Sequence, residues 1–122
     1  MYEISVVMNF SAAHNLRDYK GKCEKLHGHN WQVEAVFASQ ILDKSGMVVD
    51  FQVAKKMLEK VLRYFDHCYV NDTEYFKKVN PTSENIAQFI FDALGRKMKR
   101  KKYGLLRVGV WETQGSRATY YE

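Results

Sequence analysis

The sequence predicts an α+β domain: a four-stranded antiparallel sheet with two helices on one face, in the order β-β-α-α-β-β, over residues 1–122. Three observations predict it. Apolar residues alternate with polar ones at period two near both ends of the chain, they recur at helical spacing in two central stretches, and turn residues separate the stretches. Paired strands flanking paired helices give segregated layers rather than alternating parallel units. A chain of 122 residues suits one core and one domain.

Tyr2, Ile4, Val6, Met8 and Phe10 alternate with Glu3, Ser5, Val7, Asn9 and Ser11, the pattern of a half-buried strand. If that strand continues through Ala12, His14 falls on its apolar face. Leu16 to Lys25 is polar, has no period, and reads as a connecting loop. Alternation returns with Trp31, Val33, Ala35 and Phe37 on one face, and His27 and His29 share their parity if the strand begins early. Asp43-Lys44-Ser45-Gly46 signals a turn before the short apolar run Met47-Val48-Val49. Asp50 is placed as an N-cap for an amphipathic helix from about Phe51 to Tyr64, with Ala54, Met57, Leu58, Val61 and Leu62 on its apolar stripe.

Tyr69 to Asn80 has little period. Pro81-Thr82-Ser83-Glu84 opens a second helix, with a hydroxyl cap and an acid in the first turn, and with Ile86, Ala87, Ile90, Ala93 and Leu94 on its buried side. Leu106 to Glu112 and Ala118 to Tyr121, joined through Gln114-Gly115-Ser116, read as a closing hairpin. Leu106, Val108, Val110 and Glu112 share a parity, which puts a carboxylate on the buried side.

The 46% apolar and 27% charged composition is that of a globular chain. No apolar run approaches the roughly 18 to 20 residues of a membrane span, and no signal-peptide pattern opens the chain, so the expectation is a cytoplasmic protein without membrane partners. Cys23 and Cys68 are expected as separate thiols. Much of the net charge of +5 sits in Arg96-Lys97-Met98-Lys99-Arg100-Lys101-Lys102. That run lacks interleaved aromatics and follows a helix, so it reads as a solvated, dipole-compensating end and not as a nucleic-acid patch. Cys68, Trp31 and Trp111 read as packing residues.

The chemistry concentrates in Cys23-Glu24-Lys25-Leu26-His27-Gly28-His29 together with His14, three of the four histidines within sixteen residues. On neighbouring antiparallel strands the three imidazoles reach one side of a sheet, where three nitrogen donors and an open position suit a catalytic zinc. Cys23 is a fourth metal ligand in a closed site, an acid/base whose pKa the zinc lowers, or an inert buried cysteine, and spacing does not separate the first two. Asp66-His67 is either a proton relay, the carboxylate fixing the imidazole tautomer, or a helix-end pair favouring the dipole. Glu112 is either a receptor for a ring bearing N–H donors or a strand-end residue reaching solvent.

Phe10-Ser11-Ala12-Ala13-His14, Cys23-x-x-x-His27-Gly28-His29, Val49-Asp50-Phe51, Leu62-x-x-x-Asp66-His67, Asn80-Pro81-Thr82-Ser83-Glu84-Asn85 and Glu112-Thr113 occur in this order along the whole chain. Together they resemble the 6-pyruvoyltetrahydropterin synthase and 6-carboxytetrahydropterin synthase family. The resemblance implies the tunnelling fold, in which subunits join sheets into a barrel, and a homohexamer (a dimer of trimers) with sites at subunit interfaces. It implies zinc on His14, His27 and His29, proton transfer by Cys23, Asp66 and His67, a pterin anchored by Glu112, and Thr82 and Ser83 along its rim.

The three-residue gap before His-Gly-His resembles the bacterial carboxytetrahydropterin synthases. That implies conversion of 7,8-dihydroneopterin triphosphate to 6-carboxy-5,6,7,8-tetrahydropterin, with release of acetaldehyde and triphosphate, on the route to queuosine and other deazapurines. Cys23-Glu24 also resembles members with a glutamate acid/base that cleave the side chain to 6-hydroxymethyl-7,8-dihydropterin for folate synthesis. The further alternatives are 6-pyruvoyltetrahydropterin synthase activity and a non-catalytic zinc-binding module. Lys22, Lys25 and Arg117 are candidates for the triphosphate.

Overall fold

The first period-two stretch forms strand β1, Tyr2–His14, and the second forms β2, His27–Ser39. In the computed structural model, which describes residues 1–19 and 25–122, the two strands pair without a break from Tyr2 opposite Ser39 to His14 opposite His27. Unbroken register keeps every even residue of β1 and every odd residue of β2 on one face. Phe10 therefore lies opposite Trp31, the two rings stacked with centroids 5.7 Å apart. Burying side chains of that size contributes about 1.5–3 kcal/mol each.

Helix α1 spans Phe51–Leu62 and helix α2 spans Ser83–Lys97. Asp50 caps α1 by accepting the Gln52 N–H, and Thr82 caps α2 by accepting the Asn85 N–H. The hairpin is β4, Gly104–Thr113, with β5, Ser116–Tyr120. Val6 and Phe10 of β1, Val33 and Phe37 of β2, and Val108 and Val110 of β4 form one core cluster with Leu58 and Leu62 of α1 and Ile86, Ile90 and Leu94 of α2. Both helices thus lie on the same face of the sheet, as the sequence predicts.

The α+β class stands with one addition, a fifth strand. Cys68–Tyr69 (β3) runs parallel to β1 at Ala12 and Ala13, giving the sheet order β3-β1-β2-β4-β5. Two residues leave no period to read. The strand is held by long-range contacts instead: the His67 N–H donates to Ser11 O at 2.6 Å, and the Ser11 N–H donates to Asp66 Oδ1 at 3.0 Å.

Three expectations shift. The register between β2 and β4 slips between Val36 and Phe37, whose partners are Arg107 and Leu105, so the intervening Leu106 is 39% exposed and Leu105 packs on the core in its place. A bulge inserts one residue and reverses the alternation beyond it. Helix α1 ends at Leu62 rather than Tyr64, and the chain turns through His67 at φ +57°. Trp111 is half-buried on the open face, beneath the Arg117 guanidinium at 5.2 Å, while Trp31 is fully buried as expected.

Candidate metal centre

The β1–β2 register delivers the three histidines. His27 sits directly opposite His14, and His29 opposite Ala12, so all three imidazoles project from the helix-covered face at the end of the core. His14 is fully buried, and its ring meets Trp31 edge-on at 4.8 Å between centroids. Glu112 reaches the same point from β4, because the irregularity between β4 and β5 falls between Trp111 and Thr113 and leaves it on the side of Val110. Among the described residues, one donor atom from each of His14, His27, His29 and Glu112 lies within 4.8 Å of the others.

The hydrogen bonds state what this group lacks. His14 Nδ1 lies 2.8 Å from Pro81 O and His27 Nδ1 lies 2.6 Å from Lys25 O. A carbonyl oxygen only accepts, so each Nδ1 carries the proton and each Nε2 of the neutral ring presents a lone pair. Yet the two Nε2 atoms are 3.0 Å apart, with Glu112 Oε1 3.1 and 3.2 Å from them. His29 Nε2 lies 2.8 Å from the same oxygen but is buried without a well-directed hydrogen bond. Acceptors facing one another need a proton or a cation between them. The donor set therefore fits a divalent metal: three imidazole nitrogens with a carboxylate beside them.

Electrostatics favour the ligand forms. Burial lowers the pKa of His29; Glu112 opposes it, and His27 and His14 add to the lowering, which prevails. Burial pushes Glu112 upward, but once the neighbouring imidazoles are protonated, hydrogen bonds from His27 and His14 and the charges of His14 and His29 bring it below its ordinary value. A neutral imidazole and an ionised carboxylate are the forms that bind a metal.

A family model described as 6-pyruvoyl tetrahydropterin synthase matches residues 3–122. The chain belongs to that family. It is 38% identical to the 6-carboxy-5,6,7,8-tetrahydropterin synthase of Synechocystis, over 99% of this chain and 94% of the relative, and 29% identical to that of Haemophilus influenzae over the whole of both. Its fold matches the 6-pyruvoyl tetrahydropterin synthase of Caenorhabditis elegans with a TM-score of 0.89 at 32% identity, covering 99% of this chain and 95% of the other. The fold is the tunnelling fold of the family, and the chain is a lyase of the 6-carboxytetrahydropterin synthase-like type.

Within this family member the expected residues divide into three sets. Thr82 and Ser83 line a cavity of about 240 Å³ with His14 and Glu112, next to the metal group. Asp66 and His67 do not join it. They border a larger concavity of about 700 Å³ on the opposite face, with Asn9, Ser11, Asn30 and Gln32, and His67 also lines one of about 480 Å³ with Gly28 and His29. His67 Nε2 is 3.6 Å from Asp66 Oδ2, beyond hydrogen-bond length, and its side chain is 83% exposed. Cys23, Glu24 and Lys22 lie outside the described residues. Arg117, a triphosphate candidate, turns its guanidinium over Trp111. No helix among the described residues is long and apolar enough to cross a membrane.

Two groups escape the sequence. The Pro81 carbonyl orients His14, and every residue has a carbonyl, so nothing marks it. Asn71 and Asn80 bond the backbone just beyond His14 from a segment without period. The one available sign is that Asn80 precedes the only proline.

Proposed function

We propose that the chain is a zinc-dependent lyase acting on 7,8-dihydroneopterin triphosphate, yielding 6-carboxy-5,6,7,8-tetrahydropterin, acetaldehyde and triphosphate on the route to queuosine and other deazapurines. The observation that carries it is the convergence of three imidazole Nε2 atoms, two of them with Nδ1 already committed to a carbonyl. Relatives named for that synthase activity support the product. When bound, zinc would act as a Lewis acid on the substrate side-chain oxygens. His14, His27 and His29 would hold it.

Glu112 would turn its carboxylate to the pterin N–H donors, and the adjacent cavity at Thr82 and Ser83 would take the ring edge. Cys23, with Asp66 and His67, would move protons. Because Asp66 and His67 lie outside the metal group of their own chain, they would serve the metal group of a second copy. Two sheet edges support such an assembly: β5 at one side, and at the other β1, which β3 covers only at Ala12 and Ala13. Edges of this kind invite pairing between chains, consistent with the expected cytoplasmic hexamer.

The deciding experiment incubates zinc-loaded protein with dihydroneopterin triphosphate and identifies the pterin by chromatography and the aldehyde by trapping. 6-Carboxytetrahydropterin with acetaldehyde is the expected outcome; no turnover sinks the reading. Glu24 beside Cys23 favours a second reading, cleavage to 6-hydroxymethyl-7,8-dihydropterin. A hydroxymethyl product that disappears in Glu24→Ala would establish it. In Cys23→Ala, zinc content is expected to stay and activity to go, whereas a structural zinc module would lose the metal.

A further inference from the structure

Beyond His14 the β3 side of the chain has no strand left to pair with among the described residues, since β3 ends opposite Ala13. The next two positions on that edge, Asn15 and Arg17, are nonetheless satisfied. The Asn15 N–H donates to Asn71 Oδ1 at 3.0 Å, and Asn71 Nδ2 donates back to Asn15 O at 2.9 Å. Asn80 repeats the arrangement two residues on: the Arg17 N–H donates to its Oδ1 at 2.8 Å, and its Nδ2 donates to Arg17 O at 3.0 Å. Alternate residues of a strand present both backbone groups to the same neighbour. Each asparagine amide, one acceptor and one donor at fixed spacing, therefore replaces one residue of a missing strand.

The second amide closes a circuit through the metal group. The backbone oxygen of Asn80 accepts from the Thr82 N–H at 2.8 Å and from Asn85 Nδ2 at 2.9 Å, so both ends of Asn80 are held. The next carbonyl along, that of Pro81, accepts from His14 Nδ1. His14 is thus tied to Pro81 twice, once through its ring and once through Arg17 and the Asn80 side chain. The Arg17 guanidinium fastens the same segment by donating to the carbonyls of Asn71, Phe76 and Val79.

We infer that Asn71 and Asn80 are positioning residues for His14: Asn80 holds the Pro81 carbonyl against Nδ1 and Asn71 holds the backbone that carries the ring, which keeps the proton on Nδ1 and the Nε2 lone pair on the metal group. The inference rests on the metal reading of the histidines. Partners of this kind, which orient a ligand without touching the ion, typically contribute 10–100-fold to metal affinity.

The test compares Asn80→Ala, Asn80→Asp, Asn71→Ala and a control, Ser39→Ala. Asn80→Asp keeps the acceptor for the Arg17 N–H but sets a second carboxylate oxygen, with its charge, against Arg17 O where the donor stood. Ser39 is buried at the far end of the sheet and bonds Ile41 O and Lys102 O, so its loss should lower stability alone. Two readouts are taken at a temperature where all variants are folded: the His14 tautomer in metal-free protein by long-range ¹⁵N–¹H NMR, and zinc affinity by chelator competition, with the cobalt absorption spectrum beside it.

The parent should show His14 protonated at Nδ1. Asn80→Ala and Asn71→Ala should show mixed tautomers, a 10–100-fold weaker zinc affinity and an altered cobalt spectrum, with a change in the same direction for Asn80→Asp. Ser39→Ala should change neither readout. A parental tautomer and parental affinity in Asn80→Ala and Asn80→Asp, with only lower stability, would overturn the inference, as would a parent protonated at Nε2. A parent that binds neither zinc nor cobalt refutes the metal reading instead, and the tautomer measurement still decides the role of Asn80.

Discussion

The two faces of one sheet carry opposite kinds of site. On the helix-covered face, His14, His27 and His29 grow out of the core on two strands paired in unbroken register, and Glu112 joins them from β4. On the open face, Asp66 and His67 stand at the rim of an amide-lined concavity, the imidazole almost wholly exposed and too far from its carboxylate for a hydrogen bond. A metal site needs ligands fixed before the ion arrives, which paired strands and burial supply. On the proposed reading Asp66 and His67 move protons for another copy, and such a pair must protrude to reach it.

Separating the faces by mutation tests this division, and the largest effect is expected there. His27→Ala should abolish zinc binding and with it turnover. Asp66→Asn and His67→Ala should keep zinc and lose about 10²–10⁴-fold in kcat, the range for removing a general acid or base. Assembling inactive His27→Ala subunits together with inactive Asp66→Asn subunits should restore activity, because some sites then combine an intact metal group with an intact Asp66-His67. Mixed assemblies that stay inactive would place both faces' chemistry within single chains and break the comparison.

A smaller effect separates the faces by pH. The His29 pKa lies below its ordinary 6.5, burial being the main cause, so the unfolded chain takes up protons there before the folded one does. Stability from that group is complete above the ordinary value and falls as pH drops through 6.5 toward the lowered pKa. Glu112 is also lowered, from 4.5, and its contribution is lost at still lower pH, as it falls through the folded value. Metal-free protein should therefore weaken on acidification from pH 6.5 downward and again below pH 4.5, and His29→Gln should flatten the upper part of that profile in denaturant titrations.

How much of this was legible follows from what makes each feature. The histidines could be placed because side-chain parity along paired strands is a rigid rule, and Glu112 obeys it because both irregularities of β4 leave Val108 to Glu112 in alternation. The same rule misplaces Leu106, since a bulge depends on the partner strand and leaves no mark in its own. The caps at Asp50 and Thr82 are local and were readable. By contrast β3, and the amides of Asn71 and Asn80, act through partners more than fifty residues away, and a two-residue strand or a lone asparagine looks like an ordinary turn. That Asp66-His67 lies outside the metal group was not readable either, because it depends on how the chain leaves α1.

That departure suggests the smallest and most diagnostic change. His67 occupies the left-handed region at φ +57°, where a non-glycine residue costs roughly 1–2 kcal/mol. The side chain, almost fully exposed, regains little from packing. A turn selected for stability alone would carry glycine there. His67→Gly should therefore leave the melting temperature unchanged or raise it by a few degrees, relief of strain offsetting the greater freedom of the unfolded chain, while activity falls as far as in His67→Ala. On the other face, replacing His14 by a residue without ring nitrogens should cost both stability and metal, because its ring is packed against Trp31 and bonded to Pro81. If His67→Gly proved clearly destabilising, the imidazole would be part of the framework like those of His14 and His27, and the contrast between a built face and a reaching face would fail.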